Sequence, residues 1–275
     1  MSDNIKKIQI QSVVYNNNKL SLIKALKAIK QSVYVTRRLL GDMHINIAYG
    51  DASPSPILSE SDKKDIQEML EEDIHFNYVF FNENTGTAKG HNTLLVDKEL
   101  DYVLIMNPDV IMEPRCIYYL VRGIIDSKIG MVEARQTPLE HAKEYDVDSG
   151  ETDWSSTACS LFKKDIFDEI GGFDADTFFM YCDDLDFSWR LRLAGYKIIY
   201  NPRAIVYHSK YLTNDAKWKP TNAEVYYSAE AALLLAYKWS FDERVDYLRN
   251  MFMNSPNNDE KKAYEEFEKR KKECR

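Results

Sequence analysis

Residues 8–15 read IQIQSVVY and run directly into Asn16-Asn17-Asn18, after which Leu22, Ile23, Leu26 and Ile29 recur at helical spacing. The first run is rich in β-branched residues and stops at turn formers, so the chain opens as strand, turn and helix. The alternation continues downstream. Residues 44–49 (HINIAY) predict a strand ending in the turn formers of 50–54, and Ile66, Met69, Leu70 and Ile74 predict a helix capped by Ser61 or Asp62. Residues 77–81 (NYVFF) predict a strand, 87–98 a helix, and 102–106 (YVLIM) a buried strand that ends at Asn107-Pro108-Asp109. Strands separated by helices need crossover connections, which makes the fold class α/β with a mostly parallel sheet flanked by helices. Ligands of such sheets bind outside the carboxyl ends of the strands, where the polar clusters at Asn16, Asp51, 82–92 and 107–109 would gather.

The second half is less regular. Residues 116–126 predict a helix, 136–156 a polar irregular excursion, and 155–174 (SSTACSLFKKDIFDEIGGFD) a strand and short helix closed by Gly171-Gly172. Leu185, Phe187, Trp189, Leu191 and Ala194 predict a helix opened by Asp183, Asp184 and Asp186 and stopped by Gly195, and 204–208 (AIVYH) reads as a strand. Residues 223–249 and 259–275 read as helical, the last of these as a solvated charged helix.

Composition excludes several partners. With 44% hydrophobic residues, the 275-residue chain can bury a full core, and its length suits one large α/β domain with an appendage. A formal charge of −8 argues against nucleic acid, whose backbone is bound by clustered Lys and Arg. No apolar run approaches the roughly 20 residues of a membrane-spanning helix. Residues 1–15 (MSDNIKKIQIQSVVY) lack the apolar core and cleavage site of a secretory signal, so the expectation is a cytoplasmic protein. Cys116, Cys159, Cys182 and Cys274 form no C-x-x-C pair and are expected to be reduced, mostly structural thiols.

Three carboxylates within four residues, Asp183, Asp184 and Asp186, repel one another and call for a cation, a proton transfer or basic partners. Acids also open helices simply to offset the macrodipole. The helical spacing separates their roles. Asp186 can pair with Arg190 one turn on, whereas Asp184 shares another face with Ser188 and Arg192 and is the freer candidate for a general base. The helix amino terminus lowers a carboxylate pKa, and crowding by Asp183 raises it. Residues 84–92 place two Gly and two Asn before a helix, a pattern suited to an anion or to an ordinary turn and cap; it is no P-loop, because no Lys-Ser/Thr pair follows the last Gly. Asp109 is either a carboxylate delivered to the ligand edge or the end of a β-turn with Pro108, and His208 is either a structural histidine or a further metal ligand beside it.

Taken in order, these segments resemble the family 2 glycosyltransferases of GT-A fold, and among them the bacterial rhamnosyltransferase-like members. The resemblance rests on 13–17 (VVYNN), 51–53 (DAS), the N-x-G-x-x-x-G-x-N of 84–92, 106–110 (MNPDV), 171–174 (GGFD), 178–181 (FFMY), 183–196 (DDLDFSWRLRLAGY) and His208. It implies a Rossmann-like GT-A domain over 1–215, with a nucleotide-sugar half over 1–112 and an acceptor half over 113–215, and a C-terminal helical extension over 216–275. It implies inverting transfer from a nucleotide diphosphate sugar, with dTDP-rhamnose or UDP-hexose as donor. The acceptor would be a glycan, free, lipid-linked or protein-linked, in bacterial surface polysaccharide synthesis.

Carried over by residue, the resemblance makes Asp184 the base and Asp109, with His208, the holder of Mg²⁺ or Mn²⁺. It assigns the donor to Tyr15, Asn17, Asp51, Ser53, Asn84, Gly86, Lys89, Asn92, Asn107 and Asp109, and the acceptor to Asp183, Tyr181, Trp154 and Thr157. Three positions depart from the family pattern. Asn107 stands where a full D-x-D has its first acid, Asp183 shortens the usual Glu, and Glu230-Ala231 replace a common Arg-Asn pair. These departures keep a noncatalytic nucleotide-sugar or partner-binding member as an alternative. A nucleotidyltransferase is a third reading, which would show a Gly-rich, basic triphosphate loop near the first strand; residues 13–20 (VVYNNNKL) have none. Peripheral contact with the membrane through 231–239 (AALLLAYKW) and a homo-oligomer are compatible with this picture.

Overall fold

The computed structural model describes residues 6–208 and 219–273, so Cys274 and the expected 215/216 domain boundary lie outside the described residues. Strand β1 (Lys6–Val14) leads through Asn18 into α1 (Lys19–Leu40), and the Asn18 side chain accepts from the N–H groups of Leu20 and Ser21. Strand β2 (Met43–Asp51) is followed by α2 (Glu60–Leu70), whose cap is Ser59 and not Ser61 or Asp62. Asp62 is instead the third helical residue and completes a capping box with Ser59. Ile74, expected on that helix, opens β3 (Ile74–Phe80), because Glu71 at φ +72° has already ended the helical backbone.

Helix α3 (Gly86–Leu94) stops short of residue 98, and β4 (Tyr102–Met106) and β5 (Val110–Met112) flank the Asn107–Asp109 turn. Helix α4 (Cys116–Gly123) precedes β6 (Ile129–Thr137), the short β7 (Glu151–Thr152) and β8 (Cys159–Lys163). Helices α5 (Lys164–Glu169) and α6 (Asp183–Leu193) lead to β9 (Lys197–His208). Residues 223–249 are not one helix. α7 (Asn222–Lys238) ends before Ser240, which sits at φ +55°, and α8 (Asp242–Met253) starts anew, with α9 (Asn258–Lys272) closing the described chain.

The nine strands of the described residues form one sheet in the order β3-β2-β1-β4-β8-β6-β9-β5, with β7 beside β9. The expected parallel arrangement holds for β3-β2-β1-β4 and for β6 with β9. Beyond β4 the sheet also pairs antiparallel, through β8 with both β4 and β6 and through β5 and β7 with β9. Side chains alternate across it. Leu104 and Met106 join α1, α2 and α4 in one core, while Val103 and Ile105 join α3, α5 and α6 in another.

A third core unites α7, α8 and α9 with Phe178. Ala231, Leu233, Leu234, Leu235 and Ala236 are buried there, so the apolar stretch considered for membrane contact packs inward. No described helix is long and apolar enough to cross a membrane. The charged α9 likewise seats Ala263 and Phe267 in this core.

The third core is tied to α6 through Asp186. This fully buried carboxylate accepts from Arg190 Nε at 2.8 Å and from Trp239 Nε1 at 3.1 Å, and pairs with Lys238 Nζ at 2.6 Å. Lys238 also reaches Asp174 at 2.7 Å. Removing the buried carboxylate takes a partner from the partly buried Arg190 and Trp239 N–H and leaves Lys238 with Asp174 alone, so Asp186→Ala is expected to destabilise the fold by about 1–3 kcal/mol. Chemical denaturation of the full chain measures this, and a cost below about 1 kcal/mol, in the range of an exposed ion pair, would show that the buried network is not a lock.

Candidate active site

The carboxyl ends of β1, β2 and β4 converge on one edge, where the strand register brings the donor-side candidates. After β4, the Asn107 N–H donates to Ala158 O at 3.0 Å and the Val110 N–H to Asn107 O at 3.1 Å, closing the turn that presents Asp109. Val110 is paired with His208, and Asp109 Oδ2 lies 3.6 Å from His208 Nε2. Asn107 Nδ2 stands 3.4 Å from the same ring nitrogen.

The His208 tautomer follows from its other neighbour. Gln136 Nε2 reaches Ser156 Oγ at 3.4 Å, which turns Gln136 Oε1 toward His208 Nδ1 at 2.9 Å. Nδ1 is therefore the donor, and Nε2 faces Asp109 as the acceptor nitrogen. One imidazole nitrogen and one carboxylate oxygen 3.6 Å apart are close to the roughly 3 Å that separates adjacent ligands around a six-coordinate ion with bonds of about 2.1 Å. An imidazole nitrogen and a carboxylate oxygen with the Asn107 amide beside them are donors that a hard divalent ion accepts, with water and phosphate able to complete its shell.

Asp51 and Ser53 are held differently from the expectation. Asp51 is fully buried, and its carboxylate accepts from Ser53 N–H at 2.9 Å, Ile57 N–H at 2.8 Å and the Tyr78 hydroxyl. It organises the 52–58 loop from inside. Ser53, buried as well, accepts the Asn16 N–H at 2.8 Å. Asn17 accepts the Tyr15 N–H at 2.8 Å and leaves the Tyr15 ring half exposed at the edge.

The 84–92 segment divides. Gly86 has φ +65°, and a Cβ there would lie 2.1 Å from Phe179 O, so glycine is required by the close backbone approach. Thr87 N–H donates to Phe179 O at 2.9 Å, which commits one of the amino-terminal N–H groups of α3 to protein and not to an anion. Asn92, expected on the donor, spends its side chain on the GGFD turn: Nδ2 donates to Phe173 O at 2.7 Å and Oδ1 accepts Phe173 N–H at 3.0 Å. Nearly two helical turns separate it from Gly86, which carries it away from the edge. Asn84 is exposed and accepts Gly86 N–H at 3.3 Å, and Lys89 is exposed and paired with Glu83 at 2.7 Å.

The crowded acids open α6 after two residues in left-handed backbone, Tyr181 at φ +66° and Cys182 at φ +55°. Non-glycine residues adopt this region at a cost of about 1–2 kcal/mol each, and such strain concentrates at functional turns. The turn aims the two carboxylates apart. Asp183 is buried and accepts from Thr87 Oγ1 at 2.9 Å. Asp184 is partly accessible, and it accepts the N–H groups of Leu185 and Thr157. Burial pushes both carboxyls above the ordinary aspartate range; the charge of Asp184 raises Asp183 further, and that of Glu133 raises Asp184. Crowding and burial thus outweigh the helix terminus. Burial also pushes the Tyr181 phenol up, reinforced by its hydrogen bond to Glu224 of α7. Trp154 lies beneath Lys143, whose Nζ is 3.9 Å from the indole centroid.

Segment 154–158 joins the two sides, since it meets Asn107, Gln136, Asp184 and Lys143. Gln136, Ser156, Glu133 and Lys143 complete the site without having been singled out by spacing. One signal was present: Glu133 sits between Val132 and Ala134 in an apolar run, and a charge in such a run requires a buried partner.

No family model matches the chain. The poly-β-1,6-N-acetyl-D-glucosamine synthase of Staphylococcus aureus (strain COL) is 28% identical over 170 residues, 54% of this chain and 40% of that protein. The N-acetylglucosaminyl-diphospho-decaprenol L-rhamnosyltransferase of Mycobacterium tuberculosis (strain CDC 1551 / Oshkosh) is 32% identical over 111 residues, 39% of this chain and 36% of that protein. The match thus spans less than half the length of these curated relatives. Among solved structures, the mannosyltransferase PcManGT from Pyrobaculum calidifontis, in complex with GDP-Man and Mn²⁺, aligns with a TM-score of 0.66 at 17% identity, over 90% of this chain and 71% of that one. The 1–349 piece of S. aureus TarS in complex with UDP aligns with a TM-score of 0.57 at 12% identity, over 96% and 71%. This chain has the GT-A fold, and its relatives in sequence are glycosyltransferases, a rhamnosyltransferase among them.

Proposed function

We propose that this chain is an inverting, metal-dependent glycosyltransferase that moves a sugar from a nucleotide diphosphate sugar to a glycan or glycoconjugate acceptor in bacterial surface polysaccharide synthesis. The observation that carries the reading is the division of the site. A partly accessible carboxylate, Asp184, faces one side of segment 154–158, and the Asp109–His208 pair is anchored to the same segment on the other.

In this reading Asp184 accepts the proton of an acceptor hydroxyl while that oxygen attacks the anomeric carbon. The bond from the anomeric carbon to the diphosphate breaks on the opposite face, and its electron pair leaves with the diphosphate. Asp183 stays buried on Thr87, while burial, with the Glu133 charge behind it, keeps Asp184 basic enough for proton transfer near neutral pH. Trp154 offers an apolar ring face to an acceptor sugar, and the Tyr181 backbone sets the approach to the base. Asp109 and His208 would hold Mg²⁺ or Mn²⁺, which when bound neutralises charge on the departing diphosphate. The donor reading favours dTDP-rhamnose or a UDP-hexose, and the reaction is assigned to the cytoplasm, at the inner face of the membrane where the acceptor is lipid-linked.

Three outcomes are expected. With Mn²⁺ and a panel of dTDP- and UDP-sugars, the wild type releases nucleoside diphosphate, and Asp184→Asn lowers that rate by about 10²–10⁴-fold while still binding nucleotide in calorimetry. Equal rates would remove Asp184 as the base. Plotted against pH, kcat/KM is expected to fall on its acid side well above the ordinary aspartate value of about 3.9, because the base must be unprotonated and its pKa is raised. A limb at or below that value contradicts the assignment. Chelation should abolish turnover, and Asp109→Asn should weaken Mn²⁺ binding measured by electron paramagnetic resonance. Unchanged Mn²⁺ affinity in that variant argues against the site.

A further inference from the structure

Strand β6 carries a carboxylate into the interior. Alternation along the strand places Glu133 on the same face as Met131, which packs with Phe187 and Leu191 of α6. Glu133 is in register with Ser160 of β8, and its ion partner is Lys143 from the irregular chain after β6. Their side chains are 2% and 3% exposed. Removing two such charges from water costs about as much as their attraction returns, and an apolar pair of similar volume is often as stable. Stability alone therefore gives little reason for the pair.

Its contacts point to the site. Lys143 Nζ lies 3.9 Å from the centroid of the Trp154 indole and 3.3 Å from the Trp154 carbonyl oxygen, to which it donates. Glu133 accepts the Ser156 N–H. The pair thus grips Trp154 and Ser156, and the next N–H along the chain, that of Thr157, is donated to Asp184.

We propose that Glu133 and Lys143 form a positioning pair for the acceptor side, fixing the Trp154 ring and the Thr157 N–H relative to Asp184 without touching the reacting atoms. This rests on the reading of Asp184 as the base. The pair also acts on that carboxylate through space, with opposite signs. The charged and titratable groups around it are Asp183 and Cys182 at the start of α6, Glu133 from β6, and Lys143 from the following loop. Glu140 lies near Glu133, and the His141 ring meets Trp154 edge-on. Burial pushes the Glu133 carboxyl up, and the Lys143 charge and hydrogen bond pull it back down.

The test is a carbon-13 carboxylate NMR titration of the full chain, with Asp184 assigned by the loss of its signal in Asp184→Asn. Glu133→Gln keeps the shape and leaves the Lys143 cation uncompensated, so the Asp184 midpoint is expected to fall by on the order of one pH unit. Adding Lys143→Met removes the second charge and should return the midpoint toward the wild-type value. A purely structural loss would not be repaired by a second substitution. In transfer assays, Lys143→Met and the double variant should raise the acceptor KM at least severalfold with the donor KM unchanged, since the grip on Trp154 is lost. An Asp184 midpoint that does not move in Glu133→Gln, or that is displaced equally in the double variant, overturns the pair's role. So does a donor KM that rises together with the acceptor KM. The titration needs no turnover. A wild type that turns over none of the nucleotide sugars would overturn the glycosyl-transfer reading, while the midpoints still report on the pair.

Discussion

The site depends on the obligation of buried backbone polar groups to find partners. Segment 154–158 lies between β7 and β8, and several of its polar groups are spent on other elements. Ala158 O takes the Asn107 N–H, Thr157 N–H goes to Asp184, Ser156 N–H to Glu133, and Ser155 N–H to Ser188 Oγ at 3.1 Å. The Ser156 hydroxyl accepts from Gln136, which orients His208. Five residues thus set the relative positions of the Asp109 turn, the histidine ring and the carboxylate on α6. An unmade bond at any of them would leave a buried group unsatisfied, at a cost of about 1–3 kcal/mol.

The second constraint is the division of α6 by its own periodicity. Asp184 and Ser188, one turn apart, both face segment 154–158, while Asp186 and Arg190 face the opposite way. The helix is held from two sides, by the segment on one and by Lys238 and Trp239 of the C-terminal helices on the other. The C-terminal helices are therefore a structural part of the surroundings of α6. The same logic accounts for Glu230, one of the three positions that depart from the pattern of the family the sequence resembles. It is buried beside Arg270 of α9 at 3.5 Å, so that position serves the packing of α7 on α9.

Local pattern revealed most of what local pattern could carry. The strand-turn-helix opening, the buried YVLIM strand and the separation of Asp184 from Asp186 follow from spacing along one element, and the structure reproduces them. What was illegible depends on chain segments far apart. Strand β6 is buried on both faces yet interrupted by Gly130, Glu133 and Gln136, so it showed neither alternation nor a clean apolar run. Lys143 looked like one more charge in a polar excursion, because its partners Glu133 and Trp154 meet it only after folding. Asn92 belonged to a motif whose glycines suggested a ligand, but its amide matched the backbone of Phe173 equally well. Asp51 falls in a polar cluster after a strand, and nothing local in the sequence shows that the Tyr78 hydroxyl and two N–H groups enclose it.

The crowding of acids at the start of α6 gains its meaning from this arrangement. Three adjacent carboxylates are tolerable because each has a different environment. Asp186 is neutralised by Arg190 and Lys238, Asp183 is buried on a neutral hydroxyl, and Asp184 meets two backbone N–H groups while keeping an accessible edge. Opposite charges serve the first, and desolvation raises the other two. A helix terminus that would by itself favour ionised acids therefore carries one fully committed anion and two carboxyls with raised affinity for a proton. Proton-accepting capacity is concentrated where the helix opens toward solvent, and the fixed charges lie on the face that the C-terminal helices cover.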